Sequence, residues 1–429
     1  MTTRRSFLGR AAAPAVVYKF VKGAPALHAA AADMRFGFIG VGIRGMFLLE
    51  EFQKIGVKPV IAADVYDGHL TRAKEVTKDA IATTRDYRAV LDRKDIDAVV
   101  IATPDHWHKQ MMLDALAAGK HVYLEKPMAW SIEQCLEIAR AVESSKQKVQ
   151  IGSGAGNSPE SEKAREIVAS GALGQVNHVR LENNRNNLEG AWVYAVPPDA
   201  SPRTIDWQRF VGPSPQRDFD ANVFFRWRCW WEYSGGVATD LYVHMLTQLH
   251  QVMNVEAARS VVAQGGIYRW KDGRTVPDFM SSLYEYPGFL ASLSVNLGNA
   301  QAGRSMTVYG SKGTLLVGGR NTLVHTEEAV DRDVQRYGTN AWPAAMRQAY
   351  FAAKGNAARP VLAKPKEIVV TSGPSHQAAF VQSLVDGKPL RETAWEGHCA
   401  AGSAHLANVA YRAGRRMSWD AKTGEIKEG

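Results

Sequence analysis

Between residues 34 and about 152, short apolar runs alternate with longer stretches whose apolar residues recur at helical spacing. This is the pattern of a parallel sheet with helices on both faces. Residues 35–39 (Arg-Phe-Gly-Phe-Ile) read as a first strand, running into a glycine turn at 40–45 and a helix from 46. Val60-Ile61-Ala62-Ala63 forms a second strand and ends in Asp64. A polar helix over 69–76 and a shorter one over 87–91 precede Asp97-Ala98-Val99-Val100-Ile101-Ala102, apolar enough for a central strand buried on both faces. That strand stops at Thr103-Pro104, and a helix over 105–118 closes at Gly119. His121-Val122-Tyr123-Leu124 is the next strand, ending in Glu125-Lys126-Pro127; a helix over 131–145 and a strand over 149–151 complete the set. Ligands of such folds sit beyond the carboxyl ends of the strands, where Gly40, Asp64, Thr103 and Lys126 all fall.

Beyond Gly152 the texture changes. One helix over 160–170 leads to strands at 176–181, 260–268, 279–286, 290–297, 306–309 and 314–317, a succession that predicts a largely antiparallel sheet. A helix over 240–253 interrupts it, and helices over 375–385 and 395–413 close the chain. The stretch 187–220, rich in Pro, Asp and Arg, reads as a long surface excursion of the kind recruited to substrate sites. The fold class is therefore α/β: a Rossmann domain over 34–152, then a C-terminal α+β domain over 153–429 built on an open, mostly antiparallel sheet.

The glycine turn Gly40-Val41-Gly42-Ile43-Arg44-Gly45 carries the first chemistry. Gly40 permits the tight turn, Gly42 lets a pyrophosphate approach the backbone, and Gly45 lets the helix pack close to the strand. Free N–H groups at the helix start face the phosphates, with Ile43 and Arg44 completing the cofactor-facing turn. Asp64 stands where a carboxylate accepts from both ribose hydroxyls and repels a 2′-phosphate, which favours NAD over NADP.

With 429 residues, 45% hydrophobic and 22% charged, the chain is long enough for two domains with their own cores, and no apolar run approaches a membrane span. Five of the nine net positive charges come from Arg4, Arg5, Arg10, Lys19 and Lys22, so the remainder offers no basic stripe for nucleic acid. Three cysteines (Cys135, Cys229, Cys399) match neither a metal site nor a disulfide framework and read as small buried hydrophobes.

Residues 1–33 read as an address. Thr3-Arg4-Arg5-Ser6-Phe7-Leu8 resembles the twin-arginine export signal, followed by small residues over 11–17 and by Ala29-Ala30-Ala31, suited to signal peptidase. Lys19 and Lys22 interrupt the apolar region, and a basic arm on a cytoplasmic protein is the alternative. Export by the twin-arginine machinery implies a periplasmic enzyme that folds and loads its nicotinamide first, then holds and regenerates it within the cycle.

With Glu125-Lys126-Pro127 added to the motifs above, essentially the whole chain after residue 33 resembles the Gfo/Idh/MocA oxidoreductases, which include glucose-fructose oxidoreductase and inositol dehydrogenase. The resemblance rests on the glycine turn, Asp64, Thr103-Pro104 with His108, Glu125-Lys126-Pro127, Gly171-Ala172-Leu173-Gly174, Gly235-Gly236 before Asp240 and His244, and His405-Leu406-Ala407-Asn408. It implies a C-terminal domain whose sheet carries substrate contacts and often builds a homo-oligomer. It also makes Lys126 the catalytic lysine, His244 the acid/base, Asp240 a substrate-positioning residue and His108 cofactor-proximal. Many relatives carry an acid three residues after the histidine, where this chain has Thr247, and Tyr242 replaces a small residue.

The residues themselves support that chemistry. Oxidising a secondary alcohol needs a base for the hydroxyl proton while hydride leaves the same carbon. An imidazole suits the proton, and an ammonium favours negative charge developing on the oxygen. Asp240 and His244, four apart, share one helix face. Glu125 flanks Lys126 at the strand end, and Thr103, Pro104 and His108 border the cofactor. No metal is expected, because His106 and His108 lack a third ligand and His106 has no role. The aromatic stretch over 224–233 fits a carbohydrate pocket, with Arg226 and Trp230 as candidates, or equally core packing or an interface. The expected activity is NAD-dependent oxidation of a sugar, polyol or glycoside. The alternatives are a glycoside hydrolase or lyase working by transient oxidation, whose known examples usually lack the lysine between Glu and Pro, and a non-catalytic sugar-binding protein.

Overall fold

The computed structural model describes residues 24–154, 158–301, 303–318, 321–326, 337–354, 366–370 and 373–429. Strands β1 (Arg35–Ile39), β2 (Lys58–Ala63), β3 (Ala82–Thr84), β4 (Ala98–Ile101), β5 (His121–Leu124) and β6 (Val149–Ile151) form one parallel sheet in the order β3-β2-β1-β4-β5-β6. The crossovers run outward in opposite directions from β1 and β4. The carboxyl ends of those two strands therefore open a crevice that no crossover covers. Every side chain of β4 is buried, as its unbroken apolar run requires.

The second sheet has ten strands: β7 (Val176–Asn183), β8 (Ser260–Gly266), β9 (Phe279–Tyr286), β10 (Phe289–Asn296), β11 (Arg304–Gly310), β12 (Gly313–Gly318), β13 (Asn321–Thr326), β14 (Lys366–Val369), β15 (Met417–Trp419) and β16 (Ile426–Glu428). Their order is β14-β13-β12-β11-β7-β10-β9-β8-β15-β16, antiparallel except where β7 runs beside β10. Burial alternates along β10, so one face packs on the helices Val243–Met253 and Ala394–Ala413 while the other stays open. Small residues along Ala394–Ala413 let that helix sit deep, buried along most of its length.

Four features depart from the sequence pattern. β3 and β13 to β16 were not foreseen, being short or, for β13 and β14, polar and far apart in the chain. The stretch 187–220 runs largely over the surface, with Leu188 exposed, but it is anchored by buried Trp192, Ile205, Phe210 and Val211, and Ile205 bridges Tyr66 beside the glycine turn. The helix His376–Asp386 packs Phe380 against Phe36, Phe52 and Tyr123, inside the core of the first sheet. At the N-terminus, Ala24–Ala31, expected to end an export signal, forms a helix whose Ala31 is fully buried. The twin-arginine residues lie outside the described residues.

Candidate active site

The glycine turn takes its shape from contacts that leave no room for side chains. Gly40 has φ +81°, and a Cβ there would lie 2.8 Å from the Ala102 carbonyl oxygen; one on Gly45 would lie 1.9 Å from that of Gly40. Gly42 differs, since a Cβ would meet nothing nearer than the His69 ring at 3.3 Å. The space above Gly42, at the start of the helix Ile43–Ile55, is a cradle for a pyrophosphate. Asp64, at the end of β2, accepts from the Val41 N–H (2.9 Å) and the Tyr66 N–H (3.0 Å), and lies 3.2 Å from His69 Nδ1. Burial opposes protonation of His69, but the Asp64 charge and hydrogen bond outweigh it and hold its pKa above the ordinary value. Arg44 Nε donates to Glu125 Oε1 at 2.7 Å, tying the ends of β1 and β5 together. Thr103 Oγ1 is buried without a partner among the described residues, an orphan that a bound dinucleotide can satisfy. These features fit NAD.

The cleft beyond this turn has a volume of about 1010 Å³, room for a dinucleotide and a small substrate. At its far end Lys126 Nζ donates to Asp240 Oδ1 (2.8 Å) and to the Asp240 carbonyl (2.9 Å), and its third proton has no partner among the described residues. Asp240 also accepts from Arg228 Nε (3.2 Å) and Trp192 Nε1 (3.0 Å). Burial opposes the charge on Asp240, yet Lys126 and Arg228 together hold the carboxyl far below the usual range, ionised at any working pH. Arg228 stacks its guanidinium 4.1 Å over Trp227. Asp105 lies behind them, pushed up to about 7 by burial, with Arg228 and Lys126 opposing.

His244 Nδ1 lies 2.9 Å from the Ser153 carbonyl, so the neutral ring donates there and presents Nε2 as a lone pair. Burial, then the Lys126 and Arg304 charges, push its pKa well below 6.5, with Asp240 opposing, so the ring is neutral at pH 7. Asp240 lies in a π-turn, Ala238–Tyr242, and His244 in the α-helix that follows; both side chains line the cleft. The Ser153 hydroxyl donates to Glu392, whose other oxygen accepts from Thr247 Oγ1 at 3.3 Å. The acid missing from position 247 thus has a counterpart from a distant segment.

Gly40, Gly42, Ile43, Arg44, Asp64, Thr103, Pro104, Glu125, Lys126, Asp240 and His244 all line the one cleft, and Gly45 lies packed beneath it. Three expectations are corrected. His108 is only 1% exposed and does not reach the cleft; its ring lies between the Pro127 and Thr103 carbonyls (2.7 and 2.9 Å), and burial lowers its pKa to about 4. It ties together the two loops, at Thr103 and at Pro127, that border the cleft. Arg226 and Trp230 face a separate hollow beside Asp272 and Arg274, whereas the intervening Trp227 and Arg228 line the cleft. Arg228 takes the place expected of them. Trp192, Ser153, Arg185 and Arg304 also line the cleft and had no local signal, apart from the excursion around 192. His106 is held on the Phe210 carbonyl, and among the described residues no cluster of His, Cys, Asp or Glu could hold a metal.

Comparison with known proteins matches residues 34–153 to the oxidoreductase family with an NAD-binding Rossmann fold, GFO_IDH_MocA, and residues 161–316 to the GFO/IDH/MocA C-terminal domain. A relative from Shewanella oneidensis, an alpha-N-acetylgalactosaminidase, is 33% identical over 154 residues, 34% of this chain and 34% of that protein. The match thus spans about a third of the length of such curated relatives. Among solved structures, a levoglucosan dehydrogenase in complex with NADH and levoglucosan superposes with a TM-score of 0.61 at 17% identity, over 92% of this chain and 99% of that one. The WlbA dehydrogenase of Bordetella pertussis, in complex with NADH and UDP-GlcNAcA, gives 0.63 at 18% identity, over 90% and 99%. At that identity the likeness is one of fold.

Proposed function

Because the chain belongs to the Gfo/Idh/MocA oxidoreductase family, we propose that it oxidises a hydroxyl-bearing carbon of a sugar, polyol or glycoside, using a tightly held NAD. The observation that carries this is the meeting of Lys126 and His244 across Asp240 in one cleft with the glycine turn. NAD bound there supplies an acceptor for the hydride leaving the substrate carbon. The chain's own residues do the rest. His244 Nε2, unprotonated, takes the hydroxyl proton, and the Ser153 carbonyl keeps the ring in the tautomer that can do so. The free N–H of the Lys126 ammonium points its charge at the oxygen as negative charge grows there, with its orientation set by the two bonds to Asp240. Trp192 and Tyr194 offer ring faces to a sugar.

A second reading, hydrolysis or elimination at a glycosidic bond by transient oxidation and re-reduction, draws support from the alpha-N-acetylgalactosaminidase relative over the shared N-terminal third. Lys126 between Glu125 and Pro127 favours the dehydrogenase. Export by the twin-arginine route, to a compartment without free NAD, would make retention of the cofactor through the cycle a requirement.

Purified protein is expected to release NAD on denaturation and to turn over a member of a sugar and polyol panel. Lys126→Ala and His244→Ala should each lower that turnover at least 100-fold with dinucleotide content retained. Release of phenol from aryl glycosides without net reduction of NAD would favour the second reading. Variants that change only sugar affinity would point to a binding protein.

A further inference from the structure

We infer that the substrate of this cleft carries an oxyanion, a carboxylate or phosphate ester on the sugar, held by Arg185 and Arg304. This rests on the reading of the cleft as a sugar-oxidising site and names the class of sugar. Arg304 opens β11 and pairs in register with Asn183 of β7, so Arg185, two residues on, emerges at the same end of the sheet. The backbone pins both strand ends: Asn184 N–H donates to the Gly303 carbonyl (2.8 Å) and Arg185 N–H to that of Asn296 (2.9 Å). Both side chains line the cleft that holds His244.

Neither guanidinium has a carboxylate partner among the described residues, whereas Arg44 and Arg228 in the same cleft each have one. Burial and the neighbouring Arg185 charge both work against protonation of Arg304. Lys126 and Arg228 share the ionised Asp240, whereas Arg185 and Arg304 add two further positive charges to the lining on the His244 side of the cleft. Both side chains are exposed to solvent in the cleft and so are open to an arriving anion, and a guanidinium fork matches carboxylate and phosphate oxygens equally. The dinucleotide's own phosphates are not that anion. They belong at Gly42 on the first sheet, whereas the arginines come from the second, beside His244.

The test is calorimetric titration of NADH-loaded protein with glucuronate, glucose 6-phosphate and glucose. At least one anionic probe is expected to bind tenfold or more tightly than glucose, and which one does so separates carboxylate from phosphate. Arg304→Gln and Arg185→Gln should each shrink the preference at least fivefold while NADH affinity stays within twofold, which reports that the variants fold. Equal binding of all three probes, binding of neither anion, or a preference unchanged in both variants overturns the inference. An anion preference without turnover of any sugar would instead count against the oxidation reading alone.

Discussion

Two alanine substitutions three residues apart in the glycine turn should fail in opposite ways. Gly45→Ala puts a methyl 1.9 Å from the Gly40 carbonyl oxygen, so backbone must move. The helix Ile43–Ile55 and the turn must separate by roughly 1 Å, and overpacking of this kind costs about 1–3 kcal/mol or more. Gly42→Ala meets only the His69 ring at 3.3 Å, and its backbone angles (φ −68°, ψ −162°) suit any residue, so stability should fall by less than about 1 kcal/mol. The new methyl does, however, occupy the approach of the pyrophosphate. Displacing it from even one charge-assisted N–H contact removes about 1.5–3 kcal/mol, at least tenfold in affinity. Urea unfolding and fluorescence titration with NADH read the two quantities separately. NADH binding by Gly42→Ala within threefold of wild type, or Gly45→Ala unfolding at the wild-type midpoint, would refute the assignment of the turn.

Asp240→Asn leaves the Lys126 and Arg228 cations, only 11% and 23% exposed, facing a neutral amide. It should cost about 2–4 kcal/mol in denaturant titration, and a loss below 1 kcal/mol would show that the three do not act as a unit. Glu392 is pushed up from 4.5 to about 8, by burial first and then by the Glu396 and Glu125 charges, against the hydrogen bonds from Ser153 and Thr247. The native state therefore keeps a proton that the unfolded chain releases, so this contribution is fully present below pH 4.5 and lost as pH rises through about 8. Glu392→Gln should flatten that decline in unfolding measured from pH 5 to 9, and an unchanged slope would refute it. Since the His244 pKa lies well below 6.5, the base stays unprotonated into mild acid and kcat/KM should hold level from pH 8 down to about 6. A fall already complete at pH 7 would remove His244 as the base.

What could be read from the sequence is what the backbone sets over a few residues. The turn at 40–45, the strand-end Asp64 and the strand-end Lys126 lie within the elements that position them, so spacing alone brought them to one crevice. Asp240 and His244 were paired by helical spacing, and the pairing holds although a π-turn, invisible in the sequence, shifts the first of them. The failures have one physical cause, irregular or distant backbone. In the turn around 226–230 no period applies, and Arg228 rather than Arg226 faces the cleft. Trp192 reaches Asp240 across 48 residues, and Glu392 reaches Ser153 across 239, by contacts that only the assembled fold creates.

The charged cluster at the end of the cleft is better explained by geometry than by stability. Lys126 follows a strand of the first sheet, Asp240 belongs to a turn packed on the second, and Ser153 at the junction accepts from His244 through its carbonyl and donates to Glu392 through its hydroxyl. Bringing an ammonium, a guanidinium and a carboxylate out of water costs several kcal/mol per ion, only partly offset by their attraction, and apolar side chains would hold the two layers together at least as well. What apolar contacts do not supply is one fixed direction for each donor. Because the Lys126–Asp240 bonds cross between the domains, Lys126 and His244 take a set separation only when the domains are seated correctly. His108, between the Thr103 and Pro127 carbonyls, extends the same control to the loop that carries Lys126. Under the proposed oxidation, the Lys126 ammonium and the His244 lone pair are held in fixed directions before substrate arrives, so little reorganisation would be needed as charge develops on a bound oxygen.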